Sequence, residues 1–373
     1  MAARTAQEIW IDDKARHAGH ADGAAFALAH GLKNYRLQQL YRAATKELAA
    51  EVGEVSVLPK ELRAALAAEK FSFDAVAPVV IQNSNDQQTI KGLFRLHDGN
   101  EVEAVLMQHY GERNTVCISS QAGCAYACAF CSTGQAGFTR HLSATEIFDQ
   151  ARYFARHLAA QGRKVTNIVF MGMGEPFHNY AAVMDAVRLL NDPNGFGLGH
   201  RHITISTVGV VPQIDQFADE GVQVNLAISL HAPTDDVRSS IMPVNTKWPV
   251  AQLMDAVGRY IEKTNRKVFF EYVMLDGVND RPEDAEALSR LMRGSLYHVN
   301  IIPYNSTPDA KLGATGDQRI RAFSAILEAK GIACTVRIPM GRDIAAACGQ
   351  LRGAVKRRGV VAPSGASLKP PQP

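Results

Sequence analysis

Six cysteines are present, and their spacing is the strongest chemical signal in the chain: Cys117, Cys124, Cys128 and Cys131 fall close together, while Cys334 and Cys348 stand apart. The centre of the cluster reads Cys124-Ala125-Tyr126-Ala127-Cys128-Ala129-Phe130-Cys131, a C-x3-C-x2-C pattern. Three thiolates so spaced can converge from one compact loop onto one site. A structural zinc wants four ligands and favours paired C-x2-C or mixed cysteine and histidine sets. Only three ligands are local here. An ordinary cubane iron–sulfur cluster uses four thiolates. A cluster held by three leaves one iron open, as it must if it is also to bind a small molecule. Packed cysteines and a structural zinc are the plain alternatives at this point. In a cytosolic chain such a grouping means metal or catalysis more often than disulfides.

Polar groups recur where strands should end. Asn167 to Met171 runs into Gly172-Met173-Gly174-Glu175-Pro176, and two glycines after a strand let a backbone approach a ligand closely. Ser206 closes Ile203-Thr204-Ile205-Ser206, Ser229-Leu230-His231 closes the next strand, and Asn305 ends Asn300 to Tyr304. Singly, each is an ordinary cap or turn residue, and His231 an ordinary structural histidine. Together they suit polar anchoring of a cofactor across the mouth of a barrel.

The elements that must position these groups alternate. From about 113 to 345, strands at Thr115 to Ser119, Asn167 to Met171, His202 to Thr207, Val222 to Leu230, Lys267 to Leu275, His298 to Tyr304 and Cys334 to Ile338 are separated by helices. The helices are Ala144 to Ala160, Tyr180 to Leu190, Pro212 to Glu220, Val250 to Thr264, Pro282 to Arg293 and Asp317 to Lys330. Such alternation predicts βα units and a parallel sheet. A full eightfold barrel needs about 250 residues, so six or seven units predict an incomplete one. Before it, Gln88 to Leu96 and Glu101 to Leu106 alternate with period two around His97-Asp98-Gly99-Asn100, a hairpin. Residues 1–80 read as helical, with one helix over Ala24 to Leu48 and a second at Lys60 to Ala68 opened by Pro59. The domain division is thus 1–80 helical, 81–112 hairpin extension, 113–352 barrel, and a basic, proline-rich tail over 353–373 that should be disordered.

The cysteine pattern, with an aromatic residue before its last cysteine, resembles the radical S-adenosylmethionine (SAM) superfamily. CSTGQAGF, GMGEP, SLHAP, EYVMLDGVND and AACGQL, in that order, resemble the RlmN/Cfr group of radical SAM RNA methyltransferases within it. The match runs from about residue 60 to 352 and is absent from the tail. It implies an α/β fold, an incomplete (βα)6-type barrel. It implies a [4Fe-4S] cluster on Cys124, Cys128 and Cys131, whose open iron binds SAM and whose electron cleaves it to a 5′-deoxyadenosyl radical. It implies SAM contacts from Gly174, Glu175, Ser206, Ser229, Leu230, His231 and Asn305. Two SAM molecules serve each turnover. The first methylates Cys348, and the radical from the second takes a hydrogen from that methyl. The carbon radical adds to C2 of an adenine, a carbon too electron-poor to attack SAM directly. Cys117 then forms a transient disulfide with Cys348 and frees the base, while Glu103 accepts a proton. Where many relatives carry a basic residue, this chain has Met340, followed by Gly341 and Arg342.

Three functions follow as expectations. The first is C2 methylation of an adenosine in 23S rRNA and of the tRNA adenosine beside the anticodon. The second is Cfr-like methylation of C8; Ser132 favours the first, since Cfr-like chains tend to carry alanine there. The third is a non-catalytic iron–sulfur RNA-binding protein. A flavodoxin- or ferredoxin-type electron donor and a monomeric state are expected.

Composition bounds the rest. Hydrophobic residues at 46% and charged residues at 21% exclude disorder throughout. A net charge of +3 is too weak to argue for nucleic acid, so RNA contact needs a local patch. Lys33, Arg36, Arg42 and Lys46 give the N-terminal helices a basic edge, solvated or RNA-facing. No apolar run is long enough for a membrane span and Met1 to Lys14 has no signal segment, so the cytoplasm is expected.

Overall fold

The computed structural model describes residues 4–294, 296–306 and 312–352; the expected disordered tail lies outside them. Four helices come first: α1 (Ala6–His17), α2 (Gly23–Ala29), α3 (Asn34–Thr45) and α4 (Lys60–Ala68). The single helix expected over Ala24 to Leu48 is broken. Gly31 takes φ +61°, its N–H bonds the Leu28 carbonyl, and the Leu32 N–H reaches back to Ala27. This Schellman-type cap ends α2 because only glycine enters the left-handed region freely. Trp10 centres this layer, with Tyr41, Phe71 and Phe73 around it.

One ten-stranded sheet organises the remainder. Strands β1 (Ala77–Asn83), β2 (Thr89–Arg95) and β3 (Glu101–Gln108) form an antiparallel meander, and β3 pairs antiparallel with β4 (Asn114–Cys117). A separate two-stranded ribbon follows, β5 (Gln121–Gly123) with β6 (Phe138–His141), the short helix α5 (Ser132–Ala136) lying in their connection. Then come α6 (Ala144–Ala159), β7 (Asn167–Phe170), α7 (Tyr180–Asn191), β8 (Ile203–Thr207), α8 (Val211–Asp219) and β9 (Asn225–Ser229). The last units are α9 (Asp235–Ile241), α10 (Val250–Thr264), β10 (Val268–Met274), α11 (Pro282–Leu291), β11 (Tyr297–Pro303), α12 (Asp317–Ala329) and β12 (Cys334–Val336). The strand order is β1-β2-β3-β4-β7-β8-β9-β10-β11-β12, parallel from β4 onward.

The parallel run is curved. In a flat sheet β4 and β12 would lie roughly 29 Å apart at normal strand spacing. Yet Thr115 and Cys117 of β4 line one cavity with Arg337, the residue after β12. The sheet therefore curls into a barrel left open between β4 and β12. The N-terminal helices dock on its outside: Lys14 on α1 pairs with Asp149 on α6 at 2.6 Å, both buried. Arg152 of α6 donates to the carbonyls of Ala44 and Ala49 and pairs with Asp74. No helix among the described residues is long and apolar enough to cross a membrane.

Candidate active site

The cysteine loop hangs from the β5–β6 ribbon. A Cβ on Gly123 would lie 1.9 Å from the Gly137 carbonyl, so the two strands can close the loop this tightly only with glycine there. The Cys124 N–H donates to that carbonyl at 2.8 Å, and the Cys131 N–H to Cys128 at 3.1 Å. Outside the loop, the Ala129 N–H bonds Ile241 at the end of α9 and the Ser132 N–H bonds Gly349. All three sulfurs line one cavity at the carboxyl ends of the strands. Burial pushes the Cys124 thiol up to about 12, with the Glu175 and Cys131 charges adding to it. Burial also raises Cys128 well above the ordinary thiol range, and the charges of Cys131 and Cys124 add to it. Three thiolates crowded in a low-dielectric site require positive charge beside them. That donor set fits a cation-bearing sulfur-ligated group, and Cys124, Cys128 and Cys131 could hold it.

The strand ends form the opposite wall. Gly172, Gly174, Glu175, Ser206, Ser229 and His231 all line this cavity. Gly172 is pressed against the backbone just after β4: a Cβ there would sit 2.7 Å from the Ile118 carbonyl group. The Glu175 carboxylate is buried, accepting from the Phe177 N–H at 2.9 Å and the Val208 N–H at 2.8 Å. Burial raises its pKa to about 7 against those hydrogen bonds. His231 has φ +59°, and its Nδ1 accepts from the Val273 N–H at 3.1 Å, leaving the proton on Nε2. Burial, helped by the Arg238 charge, holds it near pKa 3, so the ring is neutral. Leu230 is different. Its side chain lies in the core, its N–H bonds Glu271, and its carbonyl is taken by Arg238.

A second cavity adjoins the first, in the gap between β4 and β12. It is lined by Cys117, Met107, His109, Arg113, Thr115, Asn305 and Arg337, among others. Cys348 lines both cavities. It is exposed where it lines them, and desolvation by the surrounding protein raises its thiol pKa. Cys117, buried at the end of β4, is raised by burial and then by Cys348. All six cysteines are free thiols, so no disulfide joins this pair. Asn305 faces the second cavity rather than the first. It anchors the Cys348 loop, donating to the Cys348 carbonyl at 3.3 Å and accepting from Arg342 Nε at 2.7 Å. Glu103 lines neither cavity. Its carboxylate pairs with Lys91 at 3.3 Å and accepts from the Arg352 N–H at 2.7 Å, clasping the same loop from beneath.

Known proteins resemble this chain in sequence and fold. The radical SAM superfamily profile matches residues 118–290. A radical SAM methyltransferase from Sphaerobacter thermophilus superposes with a TM-score of 0.86 at 48% identity, over 90% of this chain and 98% of that one. A Chloroflexus aurantiacus protein named "probable dual-specificity RNA methyltransferase RlmN" is 49% identical over 330 residues, covering 86% of this chain and 87% of its own. A Geobacillus kaustophilus protein of the same name is 46% identical over 87% and 88% of the two chains. The chain belongs to the RlmN family. It is a radical SAM RNA methyltransferase.

Sequence reasoning passed over three groups at this RlmN-family site. Arg238 of α9 is 1% exposed, donates to the carbonyls of Val208, Ser229 and Leu230 and to Asn245, and sets its charge beside Cys128. No carboxylate pairs with it among the described residues. Nothing in the local sequence marks it. Glu271 lines the first cavity, bonded to Asn300 and 3.5 Å from Arg337. A lone acid inside the apolar strand Phe269-Phe270-Glu271-Tyr272-Val273 was the signal that could have found it. Gln121 holds the Glu175 N–H at 2.8 Å.

Proposed function

We propose that this methyltransferase modifies C2 of an adenosine in 23S rRNA, and of the adenosine 3′ to the anticodon in tRNA, with Cys348 as methyl carrier. One observation carries the reading: Cys348 lines two cavities, the first reached by Cys124 and Cys128 and the second by Cys117. A carrier must meet a methyl donor and an acceptor base in turn without exposing either to the other. The dual specificity in the relatives' names supports two RNA substrates.

Cys124, Cys128 and Cys131 would hold a [4Fe-4S] cluster, which together with SAM would supply a hydrogen-abstracting radical in the first cavity. Gly174 and Glu175 hold the amino group of SAM there. The neutral His231, with Ser206 and Ser229, offers hydrogen bonds without adding charge. Leu230 contributes backbone alone. Asn305 serves by holding the Cys348 loop. Cys348 takes a methyl group on sulfur, gives up a hydrogen atom from it, and adds through the resulting methylene radical to C2 of the base. The adduct then loses one electron to a one-electron carrier and its C2 proton to Glu103, leaving a closed-shell thioether. Cys117 then attacks the Cys348 sulfur. The sulfur–carbon bond breaks with its electrons on carbon, which takes up a proton, and a disulfide closes. Glu103 is the proton acceptor for C2, released from Arg352 when the Cys348 loop shifts. A one-electron donor of flavodoxin or ferredoxin type, a monomeric state and a cytoplasmic setting complete the reading. So do an accessory role for residues 1–80 and a hairpin over 81–112 that joins them to the barrel.

Nucleoside mass spectrometry of RNA treated with cluster-loaded enzyme tests it. The product is 2-methyladenosine. Finding 8-methyladenosine would move the chain to Cfr-like chemistry, and finding no 5′-deoxyadenosine would leave a non-catalytic iron–sulfur protein.

A further inference from the structure

The second cavity opens between the β3–β4 turn and the segment after β12. His109 and Arg113 line it from the turn. Tyr110, between them, is 92% exposed, the most exposed large apolar side chain among the described residues. Arg337 and Ile338 line the same cavity from the other side, and Ile338 is 87% exposed. His109, Arg113 and Arg337 line the one cavity, and after burial the charges of both arginines depress the His109 pKa. Single exposed apolar side chains are ordinary. Here one of the two most exposed, Ile338, lines the cavity, and the other, Tyr110, sits on the turn that carries two of its lining residues; each has an arginine close by in sequence.

RNA is the substrate class of this enzyme, and a base inside a duplex cannot reach a recessed sulfur. The target nucleotide must be single-stranded or extruded. Proteins that hold such strands stack bases on exposed aromatic rings and pair phosphates with arginines. We propose that the Tyr110 turn and the Arg337–Ile338 segment form a lip that grips single-stranded RNA beside the target adenosine. The ring of Tyr110 stacks on a neighbouring base, Ile338 packs against the strand from the other side, and Arg113 and Arg337 meet phosphates. Glu112 shares the turn and repels phosphate, so stacking carries a large share of the grip. The proposal rests on the reading that the target base enters the second cavity.

Binding of a hairpin RNA with the adenosine in its loop, followed by fluorescence anisotropy over a salt series with cluster-loaded enzyme, tests it. Tyr110→Ala weakens binding about tenfold, as the loss of one stacked base implies, with an unchanged salt slope. Tyr110→Phe and Tyr110→Trp bind within about twofold of the native chain, because stacking needs the ring and not the hydroxyl. Arg113→Ala lowers the slope of log affinity against log salt by about 0.7, one phosphate contact to a single strand. Native affinity in Tyr110→Ala, equal loss in Tyr110→Phe, or an unchanged slope in Arg113→Ala would each overturn the lip. Failure of the underlying reading shows elsewhere: a Cys117→Ala chain would then carry no RNA on Cys348.

Discussion

Cys348 and Cys117 illustrate how little of a residue's role its own type reveals. Both are cysteines among small or apolar neighbours, where a buried hydrophobe is the ordinary reading. Only the resemblance singled them out, and the structure brings them to one cavity wall. Glu103 shows the opposite limit. Its place on a predicted hairpin was legible, but its partners, Lys91 and Arg352, come from a neighbouring strand and from the far end of the chain. In the account above it clasps the carrier loop and later takes a proton. Glu103→Gln keeps the carboxamide oxygen for the Arg352 N–H and loses basicity. We expect methylated RNA to form about a hundredfold more slowly, the usual worth of a general base, while RNA stays bonded to the enzyme for longer. Unchanged turnover with a lowered melting temperature would assign Glu103 to the clasp alone.

Strands and helices of the barrel were legible because parallel strands are buried on both faces and read as apolar runs between amphipathic helices. Their observed ends differ from those read in the sequence by a few residues at most, as with β7 against Asn167 to Met171. Two kinds of element were not. The break at Gly31 is a cap inside a continuous apolar pattern, and β1, with exposed positions at an edge, alternates weakly. The short α9 has no long periodicity to show, yet it places Arg238 under the strand ends. Arg238→Met should strand several buried carbonyls and lower unfolding stability by about 3 kcal/mol, taking about 1–3 kcal/mol for each orphaned group and allowing for relaxation. Urea denaturation measures it, and a loss under about 1 kcal/mol would mean water replaces the guanidinium. Gly172→Ala forces a methyl onto the Ile118–Ser119 backbone that follows β4. It should destabilise by about 1–3 kcal/mol, as overpacking does, and weaken SAM binding in calorimetry; native SAM affinity would show that this backbone yields.

Across the whole molecule, the curl of the sheet puts the chemistry in two connected chambers. Pairing order can be guessed from βα alternation, but closure depends on twist summed over seven strands, and no local pattern encodes it. Nor did the sequence show what the basic edge of the N-terminal helices does. Arg36 bonds the Val57 carbonyl, Arg42 pairs with Glu47 and Lys46 bonds the Pro193 carbonyl, so much of that charge serves the fold. The cysteine loop is tied by backbone bonds to Gly137, Ile241 and Gly349 and by Thr133 to Leu351. Stripping the cluster with acid and chelator should therefore leave the far-ultraviolet circular dichroism spectrum intact while abolishing SAM binding; a melted spectrum would mean that the cluster folds the barrel. The central claim is that Cys348 carries the methyl between the chambers and Cys117 releases it. Each of Cys348→Ala and Cys117→Ala, cluster-loaded, is incubated with SAM, reductant and RNA and run on a denaturing gel. Cys348→Ala should give no adduct, having nothing to methylate. Cys117→Ala should accumulate protein crosslinked to RNA through Cys348, since the thioether forms and cannot be resolved. Equal absence of crosslink in both, with the cluster intact and SAM cleaved, would contradict the account.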